Sequence, residues 1–202
     1  MGVYRGITQD NVTIQGGTAY SLNLVTPSIG GTAYSLNLVT PSIGGTAVAA
    51  TAAEINAAAD MSARLVSASA ATLAVTAAAH DQKVIVLSRA AGVTATLPAA
   101  TGSGAVFRFT TGTTVTSNNN IIKVADNTDV MSGSIYVTDQ AAGTGTEFST
   151  TTTSDTITMN GTTSGGIAGG ILTLIDVATN LYAVHGNIIG TGVEITPFSA
   201  TV

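Results

Sequence analysis

The chain contains a fourteen-residue segment that occurs twice in succession without a single change. Residues 16–29 read GGTAYSLNLVTPSI, residues 30–43 repeat those letters, and a third copy starts at 44–47 before it dissolves into Ala and Thr. Protein interiors are packed to nearly crystalline density, so an insertion of this length has no room inside a core. Segments that accept such insertions are surface arms, loops or stacked repeats. We therefore predict that residues 1–50 form an extended arm.

Within each copy of the repeat, large apolar residues alternate with Ser and Asn, which is typical of a half-buried strand. Since fourteen is an even number, an extended chain would present both apolar sets on the same side. The alternative is a hairpin in which a strand at 18–25 turns at 26–31 into a strand at 32–39. In either case the residues expected to bind a partner surface are Tyr20, Leu22, Leu24, Tyr34, Leu36 and Leu38.

Charge is scarce along the whole chain. Charged residues make up 8% of the sequence, against roughly a quarter in an ordinary soluble domain, and none lies between Asn11 and Ala53. Charge is what normally keeps protein surfaces apart. This composition therefore predicts that much of the surface is covered by other subunits of a closed homo-oligomer.

Several classes of function are disfavoured by the composition. The net charge is −5 and the six Lys and Arg residues are scattered, so the basic patch of a nucleic-acid-binding protein is missing. The sequence has no cysteine, which excludes disulfides, thiolate catalysis and Cys-ligated zinc. No apolar run reaches the roughly eighteen residues of a membrane span. We expect no nucleic-acid partner and no membrane partner.

A short helix is predicted directly after the arm. Thr51-Ala-Ala-Glu54 matches the capping box, in which the Thr hydroxyl and the Glu carboxylate each satisfy a backbone N–H. Good helix formers follow, so we place a helix near 52–63 inside a capped helix and linker at 51–66. Its narrow, Ala-rich face would suit close packing.

The remainder, 67–202, is predicted to be a β-sandwich or barrel domain, so the chain is mainly β. Short alternating segments recur every 8–14 residues with turn signals between them, a pattern typical of these folds. We place strands near 72–76, 83–87, 92–98, 105–109, 121–124, 133–138, 145–150, 155–160, 170–176 and 181–186.

Three segments carry a resemblance to a known group of proteins. Thr51-Ala-Ala-Glu-Ile-Asn56 resembles a helix of tailed-bacteriophage virion structural proteins that links an N-terminal segment to a β-rich domain. The stretch from Val93 to Phe109, VTATLPAATGSGAVFRF, resembles phage head-decoration and fibre-type β-domains. The stretch from Gly170 to Gly186 is similar to the final hairpin of those domains, with Leu181-Tyr182 where Asn-Trp usually stands.

The resemblance implies assembly without catalysis, commonly as trimers. It leads us to expect a capsid decoration (cement) protein on the outer capsid surface of a virion, bound to the major capsid protein and stabilising the shell. The alternative is a head or tail fibre protein with a receptor- or carbohydrate-binding β-domain. A polysaccharide-degrading tailspike needs paired carboxylates in a groove, and the eight Asp and three Glu form no recognisable pair in the sequence.

No pattern of residues predicts a catalytic, metal or cofactor site. His80-Asp81 has no ligand at metal-binding spacing, and we interpret His80 as a turn residue before the 83–87 strand. Asp126-Asn-Thr-Asp129 lacks the spacing of a calcium loop and reads as an Asx turn. The glycines of 162–170 suit bulges and turns, and 101–105 is too compressed for a nucleophile elbow. We expect a non-enzymatic protein without cofactors.

Overall fold

The computed structural model describes residues 28–29, 32–33, 42–43, 46–47, 51, 54–55 and 64–202. The chain divides into two compact units, Met1–Ala50 and Thr51–Val202. The described residues are mainly β, with two large mixed sheets in the second unit and very little helix. The prediction of a mainly β fold is therefore confirmed.

In the first unit the structure describes two short antiparallel ladders. Strand β1 (Ser28–Ile29) pairs with β2 (Thr32–Ala33). Strand β3 (Ser42–Ile43) pairs with β4 (Thr46–Ala47) in the same register, one repeat further along. Identical sequence thus forms identical pairing twice. In the predicted hairpin Ser28–Ile29 belong to the turn at 26–31, whereas here they pair as a strand. The predicted strand at 18–25 and residues 34–39 of its partner lie outside the described residues.

In the second unit the described residues form twelve strands, β5 to β16. They are Leu65–Ala68, Thr72–Ala74, Val84–Leu87, Thr94–Thr96, Val106–Thr111, Asn120–Lys123, Val130–Asp139, Thr144–Ser149, Thr156–Met159, Ile167–Ala178, Leu181–Gly190 and Phe198–Ser199. Strand β5 starts within the segment predicted as linker. Ten of the twelve overlap the predicted strands; β5 and the two-residue β16 are additional.

The strands form a seven-stranded sheet of order β12-β11-β15-β14-β9-β7-β5 and a five-stranded sheet of order β16-β13-β10-β8-β6. From β5 to β10 the chain alternates between the sheets, so that β5, β7 and β9 are parallel neighbours in one sheet. Strands β6, β8 and β10 are parallel neighbours in the other. The first half of the domain therefore winds as a coil, and the long β14–β15 hairpin extends the larger sheet.

A single buried cluster joins the two sheets. Phe107, Leu174 and Tyr182 from the seven-stranded sheet belong to the same hydrophobic core as Ile122 and Ile157 from the five-stranded sheet. Inward residues are buried while their neighbours along each strand are half-buried or exposed, as in β9 and β10. The domain is therefore a β-sandwich.

One helical turn interrupts the β-structure at Ala77–His80. Thr76 caps it by accepting a hydrogen bond from the N–H of Ala79 at 3.3 Å, and Gln82 at its exit has a φ of 58°. His80, predicted as a turn residue, ends this helix and is buried. No helix is predicted from the sequence within 67–202; this one forms because a Thr cap and three alanines suffice for one helical turn. Within the described residues, no helix has the length and apolarity to cross a membrane.

Candidate functional site

The predicted capping box is present as a set of reciprocal hydrogen bonds. The N–H of Glu54 donates to Thr51 Oγ1 at 3.2 Å, and the N–H of Thr51 donates to Glu54 Oε2 at 2.6 Å. The backbone bond to Thr51, followed by the bond from its hydroxyl, lowers the pKa of Glu54. Glu54 and Ile55 are helical. The remainder of the predicted helix at 52–63 lies outside the described residues.

The residues predicted to bind the partner surface also lie outside the described residues. They are Tyr20, Leu22, Leu24, Tyr34, Leu36 and Leu38. The described ladders at β1–β2 and β3–β4 flank the second copy of this apolar set in sequence. The two ladders show that equivalent residues of successive repeats pair in the same way.

The best-defined polar site in the sandwich is a loop wrapped around the carboxylate of Asp176. Backbone N–H groups of three consecutive residues, Thr101, Gly102 and Ser103, donate to its oxygens at 2.7–3.2 Å. The hydroxyl of Ser103 adds a bond of 2.6 Å, and that of Thr101 one of 3.2 Å. A buried carboxylate thus binds one turn of backbone in the way that a nest of amides binds an anion.

The electrostatics follow from this arrangement. Burial alone would raise the pKa of Asp176, but the hydrogen bonds from Ser103, Gly102 and Thr101 outweigh it and hold the pKa at about 2. The group is therefore a carboxylate at neutral pH. Because its acceptor positions are filled by the loop, we assign it the role of an internal anchor for 101–103.

Two further hydrogen bonds hold the residues just before this loop, Pro98 and Ala100. The phenol of Tyr182 donates to the carbonyl oxygen of Pro98 at 2.9 Å, and Asp129 Oδ2 accepts from the N–H of Ala100 at 3.1 Å. Burial, then the charges of Asp176 and Asp129, raise the pKa of Tyr182, so its proton stays on the donating hydroxyl. Two of the segments that carried the sequence resemblance, 93–109 and 170–186, are thereby joined.

The outward side of the seven-stranded sheet, here called the outer sheet face, mixes apolar and polar side chains and carries few charges. Two adjacent rows cross all seven strands in register. Ile171 is 56% exposed at the centre of one row, and Leu65 is 67% exposed at the end of the other. From β12 to β5, the first row consists of Glu147, Tyr136, Asn187, Ile171, Thr110, Val86 and Ser67. The second row consists of Ser149, Ser134, His185, Thr173, Arg108, Val84 and Leu65.

A groove of about 530 Å³, lined by both polar and apolar groups, opens on the five-stranded sheet. We call it the Arg89 groove. Its floor is formed where β6, β8 and β10 begin, and its walls are the segments 89–92 and 117–119. The lining residues are Ala71, Thr72, Arg89, Ala91, Gly92, Thr94, Ser117, Asn118, Asn119 and Ile121.

The remaining sequence candidates fall in separate places. His80 lies in the helical turn, with Nδ1 3.1 Å from the backbone N of Thr76, whereas His185 lies on the outer sheet face. Asp126 Oδ1 accepts from the N–H of Thr128 at 2.8 Å, as in an Asx turn. Gly165 and Gly166 have positive φ, and a register shift follows at Ile167. Among the described residues, no three His, Asp or Glu side chains cluster in a way that could hold a metal ion.

Sequence reasoning did not identify the anchor at Asp176 or the Arg89 groove. Thr101-Gly-Ser was compared with a catalytic elbow, and the signal it did carry was a run of small turn residues whose amides can converge on an anion. The partner Asp176 lies more than seventy residues away, so only the fold brings the two together.

Comparison with known proteins identifies no relative. No protein-family model, no curated protein and no solved structure matches the chain.

Proposed function

We propose that the protein is a non-enzymatic capsid decoration (cement) protein of a tailed bacteriophage. In this role it binds the major capsid protein on the outer surface of the virion and stabilises the shell. The proposal starts from the sequence resemblance. It is supported by the way two of the resembling segments meet around Asp176 and Tyr182 in one sandwich.

One observation carries the proposal: the duplicated segment belongs to a different unit from the sandwich. The repeats lie in Met1–Ala50, and the sandwich lies in Thr51–Val202. Among the described residues, the members of the hydrophobic core run from Ala68 to Phe198, with Val202 packed against them. Because the described core lies within the Thr51–Val202 unit, we assign the uncharged, duplicated segment of the other unit to attachment.

The mechanism of attachment is passive burial. The Tyr and Leu side chains of each repeat would lie against the shell, while the backbone of the arm adds strands to exposed sheet edges. Each fully buried side chain of this size is worth about 1.5–3 kcal/mol before entropy costs. Avidity in a homotrimer would turn several weak arms into a durable attachment.

The outer sheet face supports self-association. This face carries few charges, and Ile171, Tyr136 and Leu65 are exposed on it, whereas charge is what normally keeps protein surfaces apart. Closed symmetric assembly is the usual way to cover such a surface. We propose that neighbouring subunits of the homotrimer meet there.

A fibre protein with a receptor- or carbohydrate-binding domain is the second candidate. The observation that favours it is the Arg89 groove, which has the size and the polar side chains of a small-ligand site. Against it, the sequence has no Trp, and exposed aromatic platforms are the usual sugar-stacking surface.

Cryo-EM of virions from the parent phage and from a phage with the gene for this protein deleted tests the proposal. We expect density of this protein on the capsid surface, lost in the deletion, together with earlier heat-induced release of the genome. Reattachment of purified protein to the deleted virions should change little between low and high NaCl, since residues 11–53 carry no charge for salt to screen. Density confined to the tail would reject the decoration role and favour the fibre.

A further inference from the structure

The Arg89 groove lies at the start of three parallel strands. Thr72, Thr94 and Ile121 occupy one register row across β6, β8 and β10. The next residues in β8 and β10, Ala95 and Ile122, are fully buried in the core. The row therefore presents its side chains on the outer side of the five-stranded sheet, where they form the floor of the groove.

The walls are fixed before any ligand arrives. Gly92 has a φ of 77°, and a Cβ there would collide with the carbonyl oxygen of Asn119. The N–H of Val93 donates to Asn120 Oδ1 at 2.9 Å, and the N–H of Ile121 donates to the carbonyl of Val93 at 2.8 Å. These contacts join segments 89–92 and 117–119, so ordering of the site costs little on binding.

Charge in the groove has one sign. Arg89 is the single charged residue among those that line it, although the protein as a whole carries −5. Its Nη1 donates to the carbonyls of Ala91 at 2.9 Å and Gly92 at 2.7 Å. Both of the hydrogen bonds that Arg89 donates within the described residues come from this one nitrogen, which orients the planar guanidinium and leaves its other edge for an anion.

The other lining groups suit a polyhydroxylated ligand. The amides of Asn118 and Asn119 and the hydroxyls of Thr72, Thr94 and Ser117 can donate to and accept from hydroxyl groups. Ile121 and Ala71 offer apolar surface to the C–H face of a ring. A fork-shaped cation beside uncharged hydrogen-bonding groups matches a sugar that bears a carboxylate.

We propose that the Arg89 groove binds an acidic saccharide, a uronic-acid unit whose carboxylate pairs with Arg89 and whose hydroxyls bond to Asn118 and Thr94. The assignment concerns the isolated protein and holds for either location on the virion. It extends beyond capsid attachment, since the groove belongs to the Thr51–Val202 unit and the repeats do not.

The test is a titration of the full-length ¹⁵N-labelled protein with D-glucuronate, followed by amide chemical shifts. D-Glucose serves as the uncharged sugar and inorganic phosphate as the simple anion. We expect saturable shifts at Gly92, Asn118 and Asn119 with glucuronate, and affinity at least about tenfold weaker for either control ligand, because each lacks one of the two recognition elements.

Variants separate recognition from folding of the turn. Arg89→Gln should weaken glucuronate binding at least about tenfold. Arg89 also donates to the carbonyls of Ala91 and Gly92, so its loss could disturb the turn itself. Thr94→Val leaves those bonds intact and should weaken glucuronate binding several-fold. Arg108→Gln, which removes an arginine from the opposite sheet, should leave the affinity unchanged.

Three results would overturn the proposal. Equal binding of glucose would remove the role of the charge. Phosphate binding as tight as glucuronate binding would reduce the groove to an anion site. Absence of any saturable shift at Gly92, Asn118 and Asn119 would show that the groove binds no acidic sugar.

Discussion

The hydroxyl of Ser103 donates a 2.6 Å hydrogen bond to the carboxylate of Asp176, across a sequence separation of 73 residues. The bond ties the loop between β8 and β9 to the β14–β15 hairpin, which spans the middle of the larger sheet. Asp176 is 3% exposed, so the charge is held by protein donors in place of water. Such charge-assisted bonds are among the strongest in a folded protein.

Asp176→Asn should destabilise the sandwich by about 2–3 kcal/mol at pH 7. The substitution removes the charge and replaces one acceptor oxygen by a donor that faces other donors. The figure follows from a pKa lowered from 3.8 to about 2, at about 1.4 kcal/mol for each unit. Urea unfolding of both proteins measures it. Asp126→Asn, in an exposed turn with the same type of backbone bond, is the control and should leave stability nearly unchanged.

The same anchor predicts how stability depends on pH. The folded-state pKa of Asp176 is below its unfolded value, so its contribution is fully present above about pH 4 and is lost as the pH falls through about 2. The difference in melting temperature between the parent and Asp176→Asn should therefore shrink between pH 4 and pH 2. A difference that stays constant down to pH 2 would show that the stabilisation does not come from the ionised carboxylate.

Much of the fold could be predicted from local pattern, and its long-range part could not. Alternation located the strands near 72–76 and 92–98, a dense apolar run located the strand near 83–87, and the capping box at Thr51 and Glu54 is visible in four letters. The parallel coil of β5 to β10 leaves no local trace, because strand order depends on which edge each strand meets after crossing between sheets. A two-residue strand such as β16 is too short for any period to show.

The candidate sites also combine local features visible in the sequence with contacts that depend on the fold. Thr101-Gly-Ser was visible as a turn, but its convergence on Asp176 needs a carboxylate supplied by a distant strand. Arg89 was one of six scattered cations in the sequence, and its isolation among uncharged groups appears when β6, β8 and β10 align. The apolar residues at 20–24 and 34–38 lie outside the described residues and remain a prediction.

Tyr182→Phe tests the contribution of one hydrogen bond to the loop between β8 and β9. The phenol donates to the carbonyl of Pro98 at 2.9 Å, while the ring packs near Phe107 with centroids 6.4 Å apart. Loss of the hydroxyl alone should cost about 1 kcal/mol, whereas Tyr182→Ala should cost about 3–5 kcal/mol because it also leaves a cavity. Urea unfolding of the two variants compares these costs. Equal losses would mean that the ring contributes nothing beyond the hydrogen bond.

Ile171→Asp should weaken self-association. Ile171 is 56% exposed at the centre of the outer sheet face, and a charge there would have to be buried between subunits without a partner. Light scattering at micromolar concentration should give three times the 20.0 kDa chain mass for the parent and a smaller species for the variant. Val193→Asp, at an 84% exposed apolar position outside the sheets, is the matched control. A monomeric parent would contradict the trimer.

Deletion of residues 30–43 should shorten the attachment segment without weakening the sandwich. The junction joins Ile29 to Gly44, so the sequence from Ser28 through Ala47 becomes Ser-Ile-Gly-Gly-Thr-Ala, the same residues that form each described ladder. One ladder can therefore form, and the melting temperature and oligomeric state should match those of the parent. Calorimetry and light scattering measure both.

The deletion should act instead on attachment. It removes one Tyr-x-Leu-x-Leu set and, in an extended arm, roughly 46 Å of reach at about 3.3 Å per residue. Occupancy on shells that lack the protein should fall, because the lost side chains are worth about 1.5–3 kcal/mol each when fully buried.

Deletion of residues 16–29 leaves the same sequence and must behave identically, so the informative control is the full-length protein with Tyr34, Leu36 and Leu38 replaced by Ser. Attachment should weaken in this control as well, with the arm at full length. If the deletion lowered the melting temperature of the sandwich, the repeat would belong to its core and the attachment role would be wrong.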